Sequence, residues 1–362
     1  MPTLDVVRSS RVEKTFRVRQ VLGMFDVPDK TAIEHRWRVE MPVHEQDWTI
    51  GLIVGPSGAG KSVIAREAFP DALFVDEPFE WPKTKSILDG FPEGIETRQI
   101  VETLSMVGLS APPLWLKPYG HLSNGQRFRC DLALSVSQGK PLVVFDEFTS
   151  VVDRDVAKCC SSALAKTLRK RGGTRFVAVS CHFDIVEWLQ PDWSYDVAAA
   201  RFEWRQRRRR PEVSLAVHRV GREAWTLFRG HHYLSADIHR AARCYAAFWN
   251  DKPVAFVATL PSAGIKRAYR EHRLVVLPDY QGVGIGNAMS EFIANVYVSQ
   301  GLRYFSCTSH PGLIYHRAKS LLWRNQRLPK SRGIVASKKG YGGGTRRGSL
   351  TATFEFLGRR PE

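Results

Sequence analysis

The segment TIGLIV at Thr49–Val54 runs without a break into GPSGAGKS at Gly55–Ser62. A short apolar run of this kind reads as a buried strand, and Ser62–Phe69 as the helix that follows it. The loop between them suits a phosphate chain. Gly55, Gly58 and Gly60 lack a Cβ, so the backbone can wrap closely and aim its N–H groups inward. The helix N-terminus adds positive potential. Lys61 supplies a charge for the outer phosphates, and Ser62 a hydroxyl ligand for Mg²⁺. Strand, glycine loop and helix in that order commit the surrounding chain to an α/β sheet.

At 362 residues the chain is too long for one ordinary core and suits two domains. Hydrophobic content of 43% with 25% charged residues excludes disorder as the default. Lys and Arg number 53 against 36 Asp and Glu, a net charge of +17. That excess favours a polyanionic partner, nucleic acid before an anionic membrane surface, against the plainer alternative of a merely basic exterior. The six cysteines show no C-x-x-C pair or metal spacing and read as thiols in a reducing compartment. No apolar stretch could span a bilayer and no apolar signal core opens the chain. The expectation is a cytoplasmic protein without a membrane partner.

Alternation at Thr15–Val21 and His35–Met41 predicts strands. Leu142–Phe145 and Phe176–Val179 read as buried strands, with helices over Arg127–Val136 and Asp155–Arg171. Asp192–Glu203 closes this half, and RQRRRRP at Arg205–Pro211 marks a boundary, either a solvated linker or a phosphate-contacting arm. The expected domains are therefore 1–204 and 212–362, joined by a basic linker at 205–211. Beyond it, strands are expected at Val213–Val220, Cys244–Trp249, Pro253–Thr259, Leu274–Leu277, Tyr304–Thr308 and Thr351–Leu357. Helices are expected near Arg222–Phe228 and over Gly286–Ser299, and Asn250-Asp251 is a hairpin turn. The Lys/Arg/Gly-rich stretch Lys330–Gly348 reads as a loop able to contact nucleic acid.

The first half carries further marks in a fixed order. LSNGQ stands at Leu122–Gln126, the apolar run PLVVF ends in Asp146-Glu147, SVVD ends at Asp153, and His182 follows a predicted strand. Asp146 can hold Mg²⁺ together with Ser62, and Glu147 is placed to polarise an attacking water. With the phosphate loop, this set resembles the ATP-binding cassette (ABC) ATPases, whose signature is LSGGQ; here Asn124 replaces one glycine. The resemblance implies that Ser123 and Gly125 contact the γ-phosphate bound by an opposite protomer, that Asp153 belongs to the D-loop, and that His182 is the switch histidine. It implies a head-to-tail homodimer with two shared ATP sites. The family's Q-loop glutamine has no clear counterpart: Ala72–Val75 ends in Asp76-Glu77, and Gln99 falls in a predicted helix. The stretch between Lys61 and Ser123 is also shorter than in transporter ATPases, which weakens a transporter role.

In the second half, RLVVLPDYQGVGIGNAM resembles the coenzyme A segment of GNAT acetyltransferases, with Gln281, Gly284 and Gly286 filling its Q/R-x-x-G-x-G/A pattern and Ile285 between the last two. Backbone N–H groups and a helix N-terminus would hold the pyrophosphate, again without bulk. The resemblance implies a splayed strand pair, a base acting on an amine, and a tyrosine protonating the leaving thiolate. Tyr315 is the candidate tyrosine, or else a packed aromatic. HHYLS at His231–Ser235 resembles the His-Tyr pair of Mom-like DNA-modification acyltransferases through His232 and Tyr233.

The expected architecture is a P-loop ABC ATPase domain of α/β class followed by an α+β GNAT-like, Mom-like acyltransferase domain. Its expected cofactors are ATP, Mg²⁺ and acetyl-CoA or another acyl-CoA. The expected function is ATP hydrolysis coupled to N-acylation of nucleic acid, DNA bases in a phage or prokaryotic setting before RNA. The alternatives are acetylation of transfer or ribosomal RNA, and a nucleic-acid-binding ABC regulator with a degenerate GNAT module.

Overall fold

The computed structural model describes residues 3–28, 32–206, 209–232, 237–327 and 351–358. Tyr233, Arg207, Arg208 and the Lys330–Gly348 stretch, all singled out above, lie outside the described residues. In chain order the elements begin β1 (Thr3–Arg11), α1 (Phe16–Met24), β2 (Ala32–Glu40), β3 (Ile50–Val54), α2 (Lys61–Ala68) and β4 (Leu73–Val75). There follow α3 (Thr97–Met106), α4 (Pro112–Trp115), α5 (Asn124–Ser137), β5 (Leu142–Phe145), α6 (Arg154–Arg171), β6 (Arg175–Ser180), α7 (Val186–Leu189), β7 (Trp193–Asp196) and β8 (Arg201–Trp204). The remainder comprises β9 (Ala216–Val220), α8 (Trp225–Phe228), β10 (Arg243–Trp249), β11 (Lys252–Pro261), β12 (Ala268–Val276), α9 (Ile285–Ser299), β13 (Arg303–Thr308), α10 (Pro311–Lys319), β14 (Trp323–Arg327) and β15 (Ala352–Phe356).

One expectation fails outright. Thr15–Val21 is not a strand but the cap and first turns of α1, because the Thr15 hydroxyl accepts a hydrogen bond from the Val18 N–H at 3.3 Å. No residue of α1 is buried, so no sheet neighbour opposes the locally capped helix. The strand that precedes it is β1, which pairs with β2 along its whole length.

The elements gather into two compact units that interleave along the chain. The first holds Met1–Phe79, Ser135–Val152 and Ala165–Arg210; the second holds Glu80–Leu134, Asp153–Leu164 and Pro211–Glu362. Residues 80–134 and 153–164 therefore group with the C-terminal part, across the sequence-order division at 205–211.

The first unit is built on a six-stranded sheet ordered β4-β5-β6-β3-β7-β8, parallel throughout except for β8. A parallel sheet is covered on both faces, and every residue of β3 is accordingly buried. Trp193 centres the core: its ring stands edge-on to Trp48 at 5.3 Å and stacks on Phe69 at 6.1 Å. Gly51 leaves the space it fills, since a Cβ there would come within 2.1 Å of the indole. Trp193→Ala should cost about 3–5 kcal/mol, the usual range for truncating a buried aromatic. It would appear as a lower denaturation midpoint at unchanged slope. Trp193→Phe should cost less, because the indole N–H it removes is buried without a partner among the described residues. Equal losses for the two would mean that ring volume is not what stabilises the site.

The second unit carries a seven-stranded sheet ordered β14-β15-β13-β12-β11-β10-β9. All its pairs are antiparallel except β12 with β13. The β10–β11 hairpin turns on Asn250 and Asp251, both with positive φ, as the sequence predicts. Helix α9 lies on the sheet through Tyr297, which stacks on Tyr269 at 4.5 Å and on Tyr304 at 5.6 Å. The Tyr297 hydroxyl also bonds that of Thr259 at 2.7 Å. Elsewhere Trp225 and Phe228 pack on Phe256 in a separate apolar cluster.

Candidate functional site

Four parallel strands of the first unit end side by side, and each passes into a loop with functional potential. β3 leads to Gly55–Gly60, β4 to Asp76-Glu77, β5 to Asp146-Glu147 and β6 to Cys181-His182. Pairing of Val54 with Ser180, Phe145 with Ala178 and Val75 with Phe145 holds these ends nearly level. Ligands of open α/β sheets bind beyond such carboxyl ends.

Gly60 caps α2 at φ 92°, a left-handed conformation that L side chains avoid. A Cβ there would also lie 2.5 Å from the Trp37 ring, whose Nε1 donates to the Ala59 carbonyl at 3.0 Å. Trp37 thus braces the loop from β2. Sequence reasoning missed it, for only the fold brings β2 to this loop. Lys61 is buried, and its ammonium donates to the Pro56 carbonyl at 2.8 Å, which keeps the charge inside the loop. The space a Gly58 side chain would occupy is open. Such a cradle fits a phosphate chain, and a hydroxyl such as that of Ser62 and a carboxylate such as that of Asp146 suit Mg²⁺.

Asp146 is buried, with its N–H on the Val75 carbonyl at 2.7 Å and one carboxylate oxygen accepting the Glu147 N–H at 2.8 Å. Glu147 itself is exposed at φ 48°, a conformation that costs a non-glycine residue about 1–3 kcal/mol and concentrates at functional sites. Its carboxylate accepts from the Ser150 hydroxyl. The Ser180 hydroxyl donates to the Phe148 carbonyl at 2.8 Å and accepts the His182 N–H at 3.2 Å, so His182 is held by the turn that presents Glu147. Asp76, where the family's glutamine was sought, pairs with Arg66 of α2.

In the second unit, LSNGQ is a helix start. Ser123 and Gln126 form a reciprocal capping box: the Ser123 N–H donates to Gln126 Oε1 at 3.1 Å, and the Gln126 N–H to Ser123 Oγ at 3.4 Å. Gly125 lies in the first turn of α5, its missing Cβ facing Val156 at 3.6 Å. Asp153 caps α6 in the same manner, its Oδ1 accepting the Asp155 N–H at 2.9 Å. Both sites present a positive helix end.

The second glycine loop, also in this unit, joins β12 to α9. β12 and β13 pair only at Ala268–Arg270 with Arg303–Phe305 and then part, a fork between parallel strands. Glu271 and the fully buried Arg317 form an ion pair at the start of the fork, bonded to Ser290 and Ser306. Gly284 caps α9 at φ 95°, with open space where a side chain would stand. A Cβ on Gly286 would lie 3.1 Å from Val276, so close helix–strand packing is what that position requires. Ile285 is buried and anchors the first turn. Bare N–H groups at an open helix end fit a pyrophosphate. The Gln281 side chain is engaged within the protein: Oε1 accepts from the Ser110 N–H at 2.9 Å and hydroxyl at 2.7 Å, and Nε2 donates to the Val276 carbonyl at 2.9 Å. It shapes the loop.

A β-bulge sets Ala258 opposite Arg273 and Thr259 opposite Glu271, which leaves His272 as the extra residue. Burial first, then Arg273 and Arg270, then His239 and His232, push its imidazole down to about 4, so it is neutral near pH 7. His232 therefore lies within electrostatic reach of His272. Its own ring meets Trp225 edge-on at 5.8 Å. Nothing in the sequence marked His272, because a bulge is a property of pairing. Tyr315 is half exposed on α10, with the Lys319 ammonium donating to its hydroxyl at 2.6 Å.

Residues 184–314 match the model of the Acetyltransferase (GNAT) family. The match starts ahead of the basic run and ends within α10. The tylosin resistance ATP-binding protein TlrC of Streptomyces fradiae is 37% identical over 116 residues, 27% of this chain and 21% of that protein. The chain thus spans about a fifth of that relative's length. Among solved structures, the dimeric post-hydrolysis ATP-binding cassette MJ0796 bound to ADP and Pi is 15% identical with a TM-score of 0.41, covering 56% of this chain and 97% of its own. A bacterial Atm1-family ABC exporter with ATP bound is 16% identical with a TM-score of 0.34, covering 44% of this chain and 33% of its own. No helix among the described residues is long and apolar enough to cross a membrane. The chain is thus similar to an ABC ATP-binding protein over 116 residues and to the GNAT acetyltransferase family over residues 184–314.

Proposed function

We propose that this protein binds and hydrolyses ATP as a head-to-tail homodimer and uses an acyl-CoA to acylate an amine on nucleic acid, DNA before RNA. The observation that carries the reading is the pair of glycine-capped helices, Gly60 on α2 after the parallel strand β3 and Gly284 on α9 after β12, where β12 has parted from β13. One suits a triphosphate beside two carboxylates, the other a pyrophosphate beside a strand fork. In domain terms, 1–204 serves the ATPase, 205–211 is a basic linker and 212–362 serves acyl transfer.

In the ATPase half, Gly55, Gly58, Gly60 and Lys61 hold the phosphates, Ser62 and Asp146 hold Mg²⁺, and Glu147 takes a proton from the attacking water. Ser123, Gly125 and Asp153 offer capped helix ends to the nucleotide of the partner protomer, and His182 senses its last phosphate. In the other half, backbone N–H groups from Gln281 to Gly286, with Gly284 and Ile285 opening the helix, hold the coenzyme. Bound acyl-CoA supplies an activated carbonyl. The Tyr315 hydroxyl, which accepts from the Lys319 ammonium, gives its proton to the leaving thiolate, and His232 with Tyr233 serves the acceptor side. Arg270 and Arg273 give the fork a positive surround, which supports a polyanionic acceptor. A base inside a duplex must be flipped out to be reached, at a cost of a few kcal/mol. A nucleotide-driven clamp gives a reason for joining the two halves.

The test is to incubate the protein with acetyl-CoA, ATP and Mg²⁺ and with duplex DNA or transfer RNA, then weigh the released nucleosides. An acetyl mass increase on a DNA nucleoside is the expected result. A gain on RNA alone moves the acceptor to RNA. Coenzyme binding by calorimetry without any modified nucleoside moves the acceptor away from nucleic acid, and absence of coenzyme binding favours a regulator with a degenerate GNAT module.

A further inference from the structure

The coenzyme loop is fastened to the helix that begins at the ATPase signature. Arg129 lies on α5, five residues past Asn124 and so roughly 8 Å along the axis from the helix start. Its side chain is fully buried, an expensive place for a charge unless it is paired and hydrogen-bonded. Nη1 donates to the Pro278 carbonyl at 2.6 Å and lies 3.8 Å from Asp279 Oδ1, both residues belonging to the run into the loop. Nε donates to Cys160 Sγ of α6 at 3.0 Å. Nη2 is buried with no hydrogen-bond partner among the described residues. The guanidinium therefore holds the loop with one good bond, one long ion pair and one donor in reserve.

Other contacts reinforce the same join. Ser110 gives Gln281 two hydrogen bonds, and its own carbonyl lies 3.1 Å from His310 Nε2, next to the fork strand β13. The backbones touch: a Cβ on Gly282 would come 2.8 Å from that of Ala163 on α6, and one on Gly108 2.9 Å from the Gln281 carbonyl. The Lys252 ammonium on β11 pairs with Asp155, two residues past the cap Asp153, at 2.7 Å. Meanwhile Asp131, two residues beyond Arg129, accepts from Trp81 Nε1 at 2.7 Å and the Tyr119 hydroxyl at 2.6 Å, which locks α5 into its own surroundings. Helix α5 can thus move only as a body with what is attached to it.

We propose that Arg129 is a positioning residue that couples the two ligands: nucleotide gripped at the Ser123 end of α5 displaces the Pro278–Gln281 segment and so sets the affinity of the Gly284 loop for coenzyme A. An incompletely satisfied buried guanidinium beside a half-exposed carboxylate has two arrangements available, the long pair seen here and a closed bidentate pair using Nη2. A two-state element biased from both sites is what coupling requires. The proposal rests on the reading of the loop as a coenzyme A site.

The test uses the full chain in a Glu147→Gln background, where ATP persists, with coenzyme A itself as the probe. Calorimetry with and without Mg·ATP should give coenzyme dissociation constants that differ on the order of 5- to 150-fold, the usual range of coupling between sites. Coenzyme A should change ATP affinity by the same factor, since linkage is reciprocal. Arg129→Met should bring that factor to one while both ligands still bind, and Arg129→Lys should restore part of it. A purely structural arginine would lower stability and leave the ratio unchanged. Should Arg129→Met not fold, Ser110→Ala, which removes one bond at a half-buried site, must reduce the ratio. Equal coenzyme affinity with and without ATP in the parent overturns the coupling but leaves the coenzyme site standing. No coenzyme binding under either condition overturns the coenzyme site itself.

Discussion

Gly284→Glu is expected to abolish coenzyme A binding while basal ATP hydrolysis, measured without coenzyme, continues. Nothing stands within 4 Å of the position a Cβ would take, so the variant meets no packed neighbour. The backbone cost is that of a side chain at φ 95°, about 1–2 kcal/mol. The larger effect is electrostatic. A carboxylate about 4 Å from a pyrophosphate charge costs about 4 kcal/mol at the dielectric of a protein surface. That is on the order of a thousandfold in Kd. Gly284→Ala carries the backbone cost without the charge and should bind with an intermediate affinity. Calorimetric titration with coenzyme A separates the three proteins. If Gly284→Glu binds as well as the parent, the pyrophosphate lies elsewhere and the acyltransferase assignment fails with it.

Glu147→Gln should retain ATP and lose its hydrolysis. Removing a general base lowers a rate typically 10²- to 10⁴-fold, and the amide can still accept the Ser150 hydroxyl that holds the side chain. With hydrolysis blocked, the ATP-bound homodimer should accumulate and appear by light scattering as a doubled mass that reverts on chelating Mg²⁺. Lys61→Ala removes the buried ammonium from inside the loop and should weaken ATP binding itself, so no dimer forms at the same nucleotide concentration. ATP turnover by Glu147→Gln at the parent rate would remove the carboxylate from its role.

The phosphate loop was legible because its chemistry is local. TIGLIV, GPSGAGKS and the following helix occupy consecutive residues, and the structure realises them as β3, the turn and α2 within a residue or so. The Asn250-Asp251 hairpin and the Gln281–Gly286 turn were legible for the same reason: their demands on φ fall on the residues that form them. Thr15–Val21 was misread because a seven-residue alternation is weak evidence, and one capping hydroxyl decided for helix. β14 gave no usable signal: WRNQR pairs with β15 across a long sequence gap, and pairing alone makes it a strand.

What the sequence determined by itself was the two glycine turns and the Asp146-Glu147 carboxylates, together with their order along the chain. Each depends on neighbours a few residues away, through turn geometry, capping and burial periodicity. Tertiary structure alone decided which of these share an edge or a helix. Trp37 braces Gly60 because β2 returns to the loop; His272 is exposed by a bulge that exists only when β11 and β12 pair. Gln281, read as a coenzyme contact, has its side chain held by Ser110, and Arg129, unmarked in the sequence, joins α5 to the turn after β12. Those contacts span 171 and 149 residues of chain. No local pattern encodes a partner that distant; packing selects it, because a buried guanidinium and a half-buried amide must find hydrogen bonds wherever the fold offers them.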